Sequence, residues 1–308
     1  MILSVCPNPS VDCTIELDTL KTGGLNRIDN KVITYSGKAL NVAIGVARLS
    51  GDSFATGFMF EDNGRMFVHA LDDEKVKNTF VWSKGSARTN YKIVDKRSMM
   101  TEINDRGEPV SRQKQTELLS IVSELSKSAS ITVISGSLPS GVSSEYYREL
   151  SKAVHPSSKK IIDTTGDNML EALKEGAYLV KPNLNELSGI TGVSYNTFDE
   201  MICGCRVLLD AGAENVMLSL GKKGAILTDG NSALFCKSAN VAVNSTVGAG
   251  DGMVAAAAVM IENGETREEI LRSAVAAGSA AVTTPGTNLF YRDKFQEIYA
   301  KLTVERLF

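Results

Sequence analysis

Histidine is nearly absent from this chain. Its 308 residues include only His69 and His155, each isolated, so a histidine-rich zinc site and a Ser-His-Asp triad are poorly supplied. Cysteine is sparse and odd in number. Cys6, Cys13, Cys203, Cys205 and Cys236 form no Cys-x-x-Cys pair, which points to reduced, mostly buried thiols in a cytoplasmic protein rather than a disulfide framework. Cys203-Gly204-Cys205 has no metal-binding neighbours and reads as structural. No apolar run approaches the about 18 residues of a membrane span. A net charge of −3 gives no basic footprint for nucleic acid. Met1 to Cys6 lacks the basic region of a signal peptide and reads as a strand. No internal repeat, low-complexity tract or linker is visible.

What is plentiful is apolar. Hydrophobic residues make up 43% of the chain, enough at this length for one large α/β domain, alone or with a small appendage. A buried strand at 1–5 is stopped by Pro7 and Pro9. Similar runs at 53–60, 131–134, 160–163 and 178–181 are interleaved with helical stretches, among them 64–71 and 117–126. This βαβ rhythm predicts a doubly wound, mostly parallel sheet. Four stretches, 13–17, 31–35, 89–94 and 99–103, instead alternate polar and apolar residues, as strands with one wet face. They predict a small β-sheet standing off the main domain. The segment 216–225 reads as a hairpin whose glycine turn could also cradle a nucleotide. Helices at 253–262, 267–282 and 292–301 follow. Ligands of doubly wound sheets bind beyond the carboxyl ends of the strands. Asp12, Asp163 and the stretches 135–137, 181–183 and 219–221 all fall at such ends, which points to one shared cleft.

The chain is organised around Thr246-Val247-Gly248-Ala249-Gly250-Asp251. Three small residues let the backbone approach a ligand closely, and an Ala-rich helix former follows. A glycine turn opening a helix aims unpaired N–H groups and the positive dipole end at one point, which makes an anion site. Asp251 on that turn is electrostatically awkward as filler. It makes sense as a base that takes a proton from a hydroxyl attacking phosphorus. An ordinary acidic residue at a helix start remains the plainer reading of this motif alone.

Three further motifs carry chemistry. Gly37-Lys38-Ala39-Leu40-Asn41 opens a helix with a flexible glycine, a cation and an amide, a turn able to hold a sugar hydroxyl and a phosphate together. It is not a Walker A loop, because no Ser or Thr follows Lys38, and taken alone Lys38 reads more simply as a solvated lysine at a helix start. Arg88 starts an alternating strand and is either a phosphate fork or an edge-strand arginine. Asn183 and Glu186 suit a hydrated Mg²⁺, and equally spell a helix N-cap with its capping box; the two roles can coexist.

In this order the motifs resemble the ribokinase-like family, the PfkB carbohydrate kinases, over nearly the whole chain. Gly37 to Asn41 resembles that family's sugar motif, Thr246 to Asp251 its catalytic motif, and Asn183-x-x-Glu186 its magnesium and phosphate motif. Asn8-Pro9-Ser10-Val11-Asp12, Gly24-Leu25-Asn26-Arg27, Arg88-Thr89-Asn90 and Ser135-Gly136-Ser137-Leu138-Pro139 are similar to its 1-phosphofructokinase and tagatose-6-phosphate kinase branches. Gly24 to Arg27 and Ser245 to Asp251 lean toward the fructose 1-phosphate branch.

The resemblance implies a three-layer α/β/α ribokinase-like domain over 1–308. Its β-sheet lid would come from about 12–18, 30–36, 88–95 and 98–104, and would often serve as a homodimer contact as well. It implies ATP and Mg²⁺ as cofactors and phosphorylation of fructose 1-phosphate. The rival sugar is tagatose 6-phosphate, and the rival of another class is a catalytically weak sugar-phosphate sensor. Asp12, Gly37 and Asn41 would bind sugar hydroxyls, and Arg27, Lys38 and Arg88 the sugar's phosphate. Asn90 and Ser137 would line the sugar pocket. Asp251 would be the base, with Gly248, Ala249 and Gly250 as anion hole. Lys181, Asn183, Ser219, Gly221, Gly224 and Thr246 would face ATP, and Asn183 and Glu186 would hold the metal through water or phosphate. Two places depart from the family pattern. Ser36-Gly37-Lys38-Ala39 stands where Gly-Gly-Lys-Gly is usual, and Gly252 where serine or alanine is commoner. Ala39 adds a methyl where backbone meets sugar and would tolerate positive φ poorly.

Overall fold

Two prolines end the first strand and turn the chain out of the main sheet. In the computed structural model, which describes residues 1–97, 99–284 and 289–308, β1 (Ile2–Cys6) passes through Pro7 and Pro9 into β2 (Ser10–Leu17) and β3 (Asn30–Ser36). Then come α1 (Lys38–Arg48), β4 (Ser53–Phe60), α2 (Gly64–Asp73), β5 (Lys77–Asn78), β6 (Val81–Ser83), β7 (Arg88–Asp95) and β8 (Met100–Asn104). Residue 98, with which the last expected lid segment opens, lies outside the described residues. Helices and strands next alternate as α3 (Arg112–Leu125), β9 (Ile131–Ser135), α4 (Glu145–Ala153), β10 (Lys159–Asp163), α5 (Gly166–Leu173), β11 (Leu179–Val180), α6 (Leu184–Thr191), α7 (Phe198–Asp210) and β12 (Val216–Ser219). The chain closes with β13 (Ala225–Thr228), β14 (Ala233–Cys236), α8 (Ala249–Glu262), α9 (Arg267–Ala281), α10 (Arg292–Tyr299) and β15 (Val304–Arg306).

Among the described residues the main sheet has eleven strands, in the order β15-β14-β13-β12-β11-β10-β9-β1-β4-β5, with β6 also on β4. Pairing is parallel from β5 to β12 and antiparallel from β12 to β15. Apolar residues point both ways from the central strands. Leu3, Val5, Ile134 and Ile162 pack under α2 to α7, while Ile2, Val133, Ile161 and Met217 pack under α8, α9, α10 and the Val42 and Val46 side of α1. Strands buried on both faces read as continuous apolar runs, which is why they were legible. Strand order reverses at β1, which lies between β4 and β9, and a crevice opens at such a switch point.

The four alternating stretches form a second sheet, β3-β2-β7-β8. Asp12 is the Cα partner of Thr34 and Asn90, and Asn90 of Asn104, so these residues share one face. Several boundaries differ from the sequence expectation. Helix α3 begins at Arg112 rather than 117 because the Ser111 side chain caps it, accepting from the Lys114 N–H. Strand β11 is only two residues long, because Pro182 has no N–H to extend the ladder. Helix α8 begins at Ala249 rather than 253, with Gly248 as N-cap at φ 80°, so Asp251 lies inside its first turn.

Candidate active site

The carboxyl ends of β1, β9, β10, β11 and β12 and the β2/β7 side of the second sheet enclose a cavity of about 1040 Å³. Asp12, Gly37, Lys38, Asn41, Arg88, Asn90, Ser137, Lys181, Asn183, Glu186, Ser219, Gly221, Gly224, Thr246, Gly248, Ala249, Gly250 and Asp251 all line it. Arg27 does not; it is exposed on the segment before β3. A smaller cleft of about 620 Å³ shares the wall at 237–241 and holds none of these residues.

Two helix starts meet in this cavity. Gly37 caps α1 at φ 150°, where a Cβ would lie 2.8 Å from Cys6 Sγ and 3.3 Å from Pro9 Cα, so only glycine fits. Ala39 lies within α1 with an ordinary helical backbone, so its methyl is buried without strain. From α1 the Asn41 Nδ2 donates to Asp251 Oδ2 at 2.7 Å, and Ser36 Oγ donates to Asn41 Oδ1 at 3.2 Å. The departure at 36 is thus a hydroxyl behind the amide that holds Asp251. Gly252 has a packing reason: an added Cβ would lie 3.2 Å from Phe290 and 3.3 Å from the Ala277 carbonyl.

On the main-sheet side of the cavity, charge is arranged around two of its three buried carboxylates, Asp163 and Asp251. Burial pushes the Asp163 carboxyl up, but Lys181 at 3.3 Å and Lys38 at 3.6 Å outweigh it and hold it below the usual carboxylate range. Lys38 is held above its usual range, chiefly by Asp163. Asp251 goes the other way. Burial raises it to about 6, with Lys38, Asn41 and Lys181 only partly offsetting that and the Asp163 charge adding to it. Lys181 Nζ lies 3.1 Å from where a Gly250 Cβ would stand, so an ammonium flanks the open N–H groups of α8. Cations and amide donors therefore surround a carboxylate that can take up a proton near neutral pH.

The second sheet contributes a polar wall. Asp12 accepts from Ser10 Oγ at 3.3 Å, Asn90 Nδ2 at 3.1 Å and Lys92 Nζ at 3.2 Å. Ser137 Oγ accepts from Asn8 Nδ2 at 3.2 Å. On the opposite wall Asn183 and Glu186 form the capping box, each side chain accepting from the other's backbone N–H, at 2.9 and 2.8 Å. The segment 216–225 is the hairpin expected, and its bend at Ser219, Gly221 and Gly224 faces the cavity. Gly224 sits at φ 114°, where a Cβ would strike the Cys236 carbonyl.

Sequence reasoning gave Asp163 no role, missed Lys92, and marked Ser36 only as a departure from the family pattern. Lys92 carried a readable signal: on a strand, Arg88, Asn90 and Lys92 fall on one face. What the Ser36 hydroxyl does was not readable, since it matters only once α1 and α8 are packed.

An anion cradle at a helix start beside a buried carboxylate, over a doubly wound sheet, is the layout of a phosphoryl-transfer enzyme. The comparisons with known proteins give the family. The sequence model of the pfkB family carbohydrate kinases matches residues 8–294, and the chain belongs to that family. It is a sugar kinase with the ribokinase-like fold. It is 30% identical to a 1-phosphofructokinase of Borreliella burgdorferi, covering 100% of this chain and 99% of that one. It is 29% identical to a tagatose-6-phosphate kinase of Staphylococcus epidermidis, covering 99% of each. The crystal structure of phosphofructokinase-2 from Escherichia coli superposes with a TM-score of 0.90 at 31% identity, over 97% of this chain and 98% of that one.

Proposed function

We propose that the protein transfers the γ-phosphoryl group of ATP to the 6-hydroxyl of fructose 1-phosphate, giving fructose 1,6-bisphosphate and ADP. The observation that carries this reading is the placement of Asp251: buried, raised to about 6, and in the first turn of α8 beside its open N–H groups. The sugar oxygen forms a bond to the γ-phosphorus as the bridge to ADP breaks, and the hydroxyl proton passes to Asp251. The N–H groups of Gly248, Ala249 and Gly250, with Lys38 and Lys181, offset charge on the phosphoryl oxygens. Because that transition state is loose, placement and charge do most of the work.

Asp12, Gly37, Asn41, Asn90 and Ser137 hold the sugar and Arg88 its phosphate, whereas Lys38, paired with Asp163 beside Asp251, serves the transferred group instead of the sugar's own phosphate. Ser219, Gly221, Gly224 and Thr246 hold the nucleotide. A hard cation suits the wall opposite: Glu186 spends only Oε2 on the capping box, which leaves Oε1 for a magnesium ion or its waters, with Asn183 beside it. Bound there, Mg²⁺ would neutralise phosphate charge. The second sheet acts as a lid that keeps water from the phosphoryl group. Its outer face is apolar at Ile33, Tyr91 and Ile103, which are exposed, and a second copy of the chain would cover it. The five cysteines are all free, as a cytoplasmic protein would have them.

Asp251→Asn should lower kcat by about 10²–10⁴ with sugar affinity kept. Near-native turnover by that variant would remove the proposed base. Tagatose 6-phosphate is the competing acceptor, supported by the Staphylococcus epidermidis relative. Side-by-side kcat/KM on the two sugars decides between them. Tight sugar binding without ADP release would instead indicate a sensor.

A further inference from the structure

The inner face of β7 presents three residues in succession, Arg88, Asn90 and Lys92, each lining the cavity. All three carry unspent polar capacity. Arg88 Nε is buried and has no partner among the described residues, and neither does Asn90 Oδ1. Lys92 is only 7% exposed. Its ammonium has three N–H groups, and one of them is accounted for by Asp12 Oδ2 at 3.2 Å. Burying an ammonium is costly unless its charge and its hydrogen bonds are matched. Asp12 matches the charge, but with Ser10 and Asn90 on Oδ1 and Lys92 on Oδ2 it has room for at most one of the two remaining N–H groups. At least one is left for an oxygen atom inside the cavity.

Two cations, Arg88 and Lys92, therefore stand on this wall, with Asp12 as its buried carboxylate and Glu102, the exposed Cα partner of Lys92 on β8, as a second carboxylate lining the cavity. This group lies on the second sheet, away from the Lys38, Asp163 and Lys181 group on the main sheet. We propose that Lys92 is a specificity-determining residue for the acceptor: held by Asp12, its ammonium donates to an anionic oxygen of a phosphorylated ketose, sharing that phosphate with Arg88. This deepens the kinase reading and rests on it for the identity of the acceptor. An ordinary sugar has no anion to offer at that place. The spare donors of Arg88 and Lys92 thus favour a sugar that carries an anion, and Lys92 supplies part of that selection.

The test is Lys92→Met, with Lys92→Arg beside it, assayed on a phosphorylated ketohexose and on the same sugar without its phosphate. A charge-assisted hydrogen bond lost from the bound state should raise KM for the phosphosugar about ten- to a hundredfold. KM for ATP and kcat at saturation should stay within a few-fold of the parent. The preference for the phosphorylated sugar should fall by the same factor as KM rises, and Lys92→Arg should restore most of it. An unchanged KM for the phosphosugar would overturn the proposal. So would an equal loss on both sugars, because that is what a purely structural pairing with Asp12 would produce. Calorimetric binding of the phosphosugar to the ATP-free protein separates this inference from the kinase reading. If the parent protein binds the sugar and releases no ADP, the kinase reading fails, while the dissociation constants of parent and variants still judge Lys92.

Discussion

Asp251 and Asp163 are both buried carboxylates in one cavity, yet their proton affinities move in opposite directions. Asp163 touches two ammonium groups, whereas Asp251 is buried with one short bond, from Asn41, and only the more distant pull of Lys38 and Lys181. The sign for activity follows. Below about pH 6 Asp251 is protonated and cannot accept from a hydroxyl, so turnover should fall as pH drops through that value. The Asn41 bond favours the ionised form, so Asn41→Ala should move the acid limb of the pH profile to higher pH, besides weakening sugar binding. The substrate's phosphate titrates in a similar range but is common to both proteins, so the difference between the profiles isolates the enzyme group. An unmoved limb would mean that the limb belongs to another group. At this scale the sequence was informative where chemistry and backbone coincide: Gly37, Gly248 and Gly250 were legible because helix starts with glycine have few other uses. Asp163 was visible as a strand-end residue, but its two lysines come from α1 and from the end of β11, and nothing local joins those places.

Helices α1 and α8 run side by side, and their register sets the site. Gly45 on α1 faces Ala255 on α8, where a Cβ added to Gly45 would lie 2.6 Å from the alanine Cβ. One turn nearer the N-terminus of each helix, Asn41 meets Asp251. The close approach at Gly45 is thus what allows a 2.7 Å bond one turn away. Ala255 is short and cannot swing aside, so Gly45→Ala should wedge the helices apart. The expected cost is about 1–3 kcal/mol of stability, read by chemical denaturation, together with a fall in kcat larger than any change in KM for ATP. Full activity with full stability would show that the helices can slide without disturbing the site. The helices themselves were legible as apolar stretches. Their mutual register was not, because Gly45 looks like any mid-helix glycine until its neighbour is known. Strands β14 and β15 escaped for another reason: four and three residues are too few to show a period.

For the whole molecule, the two sheets differ in how completely they are covered. The main sheet has helices on both faces, whereas the second sheet turns its polar face to the cavity and leaves the other face open. On that open face Ile33, Cys13, Tyr91 and Ile103 form one row of Cα partners across all four strands. Ile33 is 44% exposed, Tyr91 41% and Ile103 56%. A contiguous apolar row on a sheet that also borders the active site is costly to leave in water, and a flat sheet face suits isologous contact with its own copy. The chain should therefore sediment as a dimer, at twice its 33.0 kDa, at micromolar concentration. Ile103→Glu places a charge at the β8 end of that row and should return the mass to a single chain without unfolding the main sheet. Because the opposite side of the same strands carries Asp12, Arg88 and Asn90, separation of the copies should also raise KM for the sugar while leaving KM for ATP near its parent value. A parent protein that sediments at 33.0 kDa would refute the contact, and a monomeric variant with unchanged sugar kinetics would show that the sheet holds its shape without the second copy.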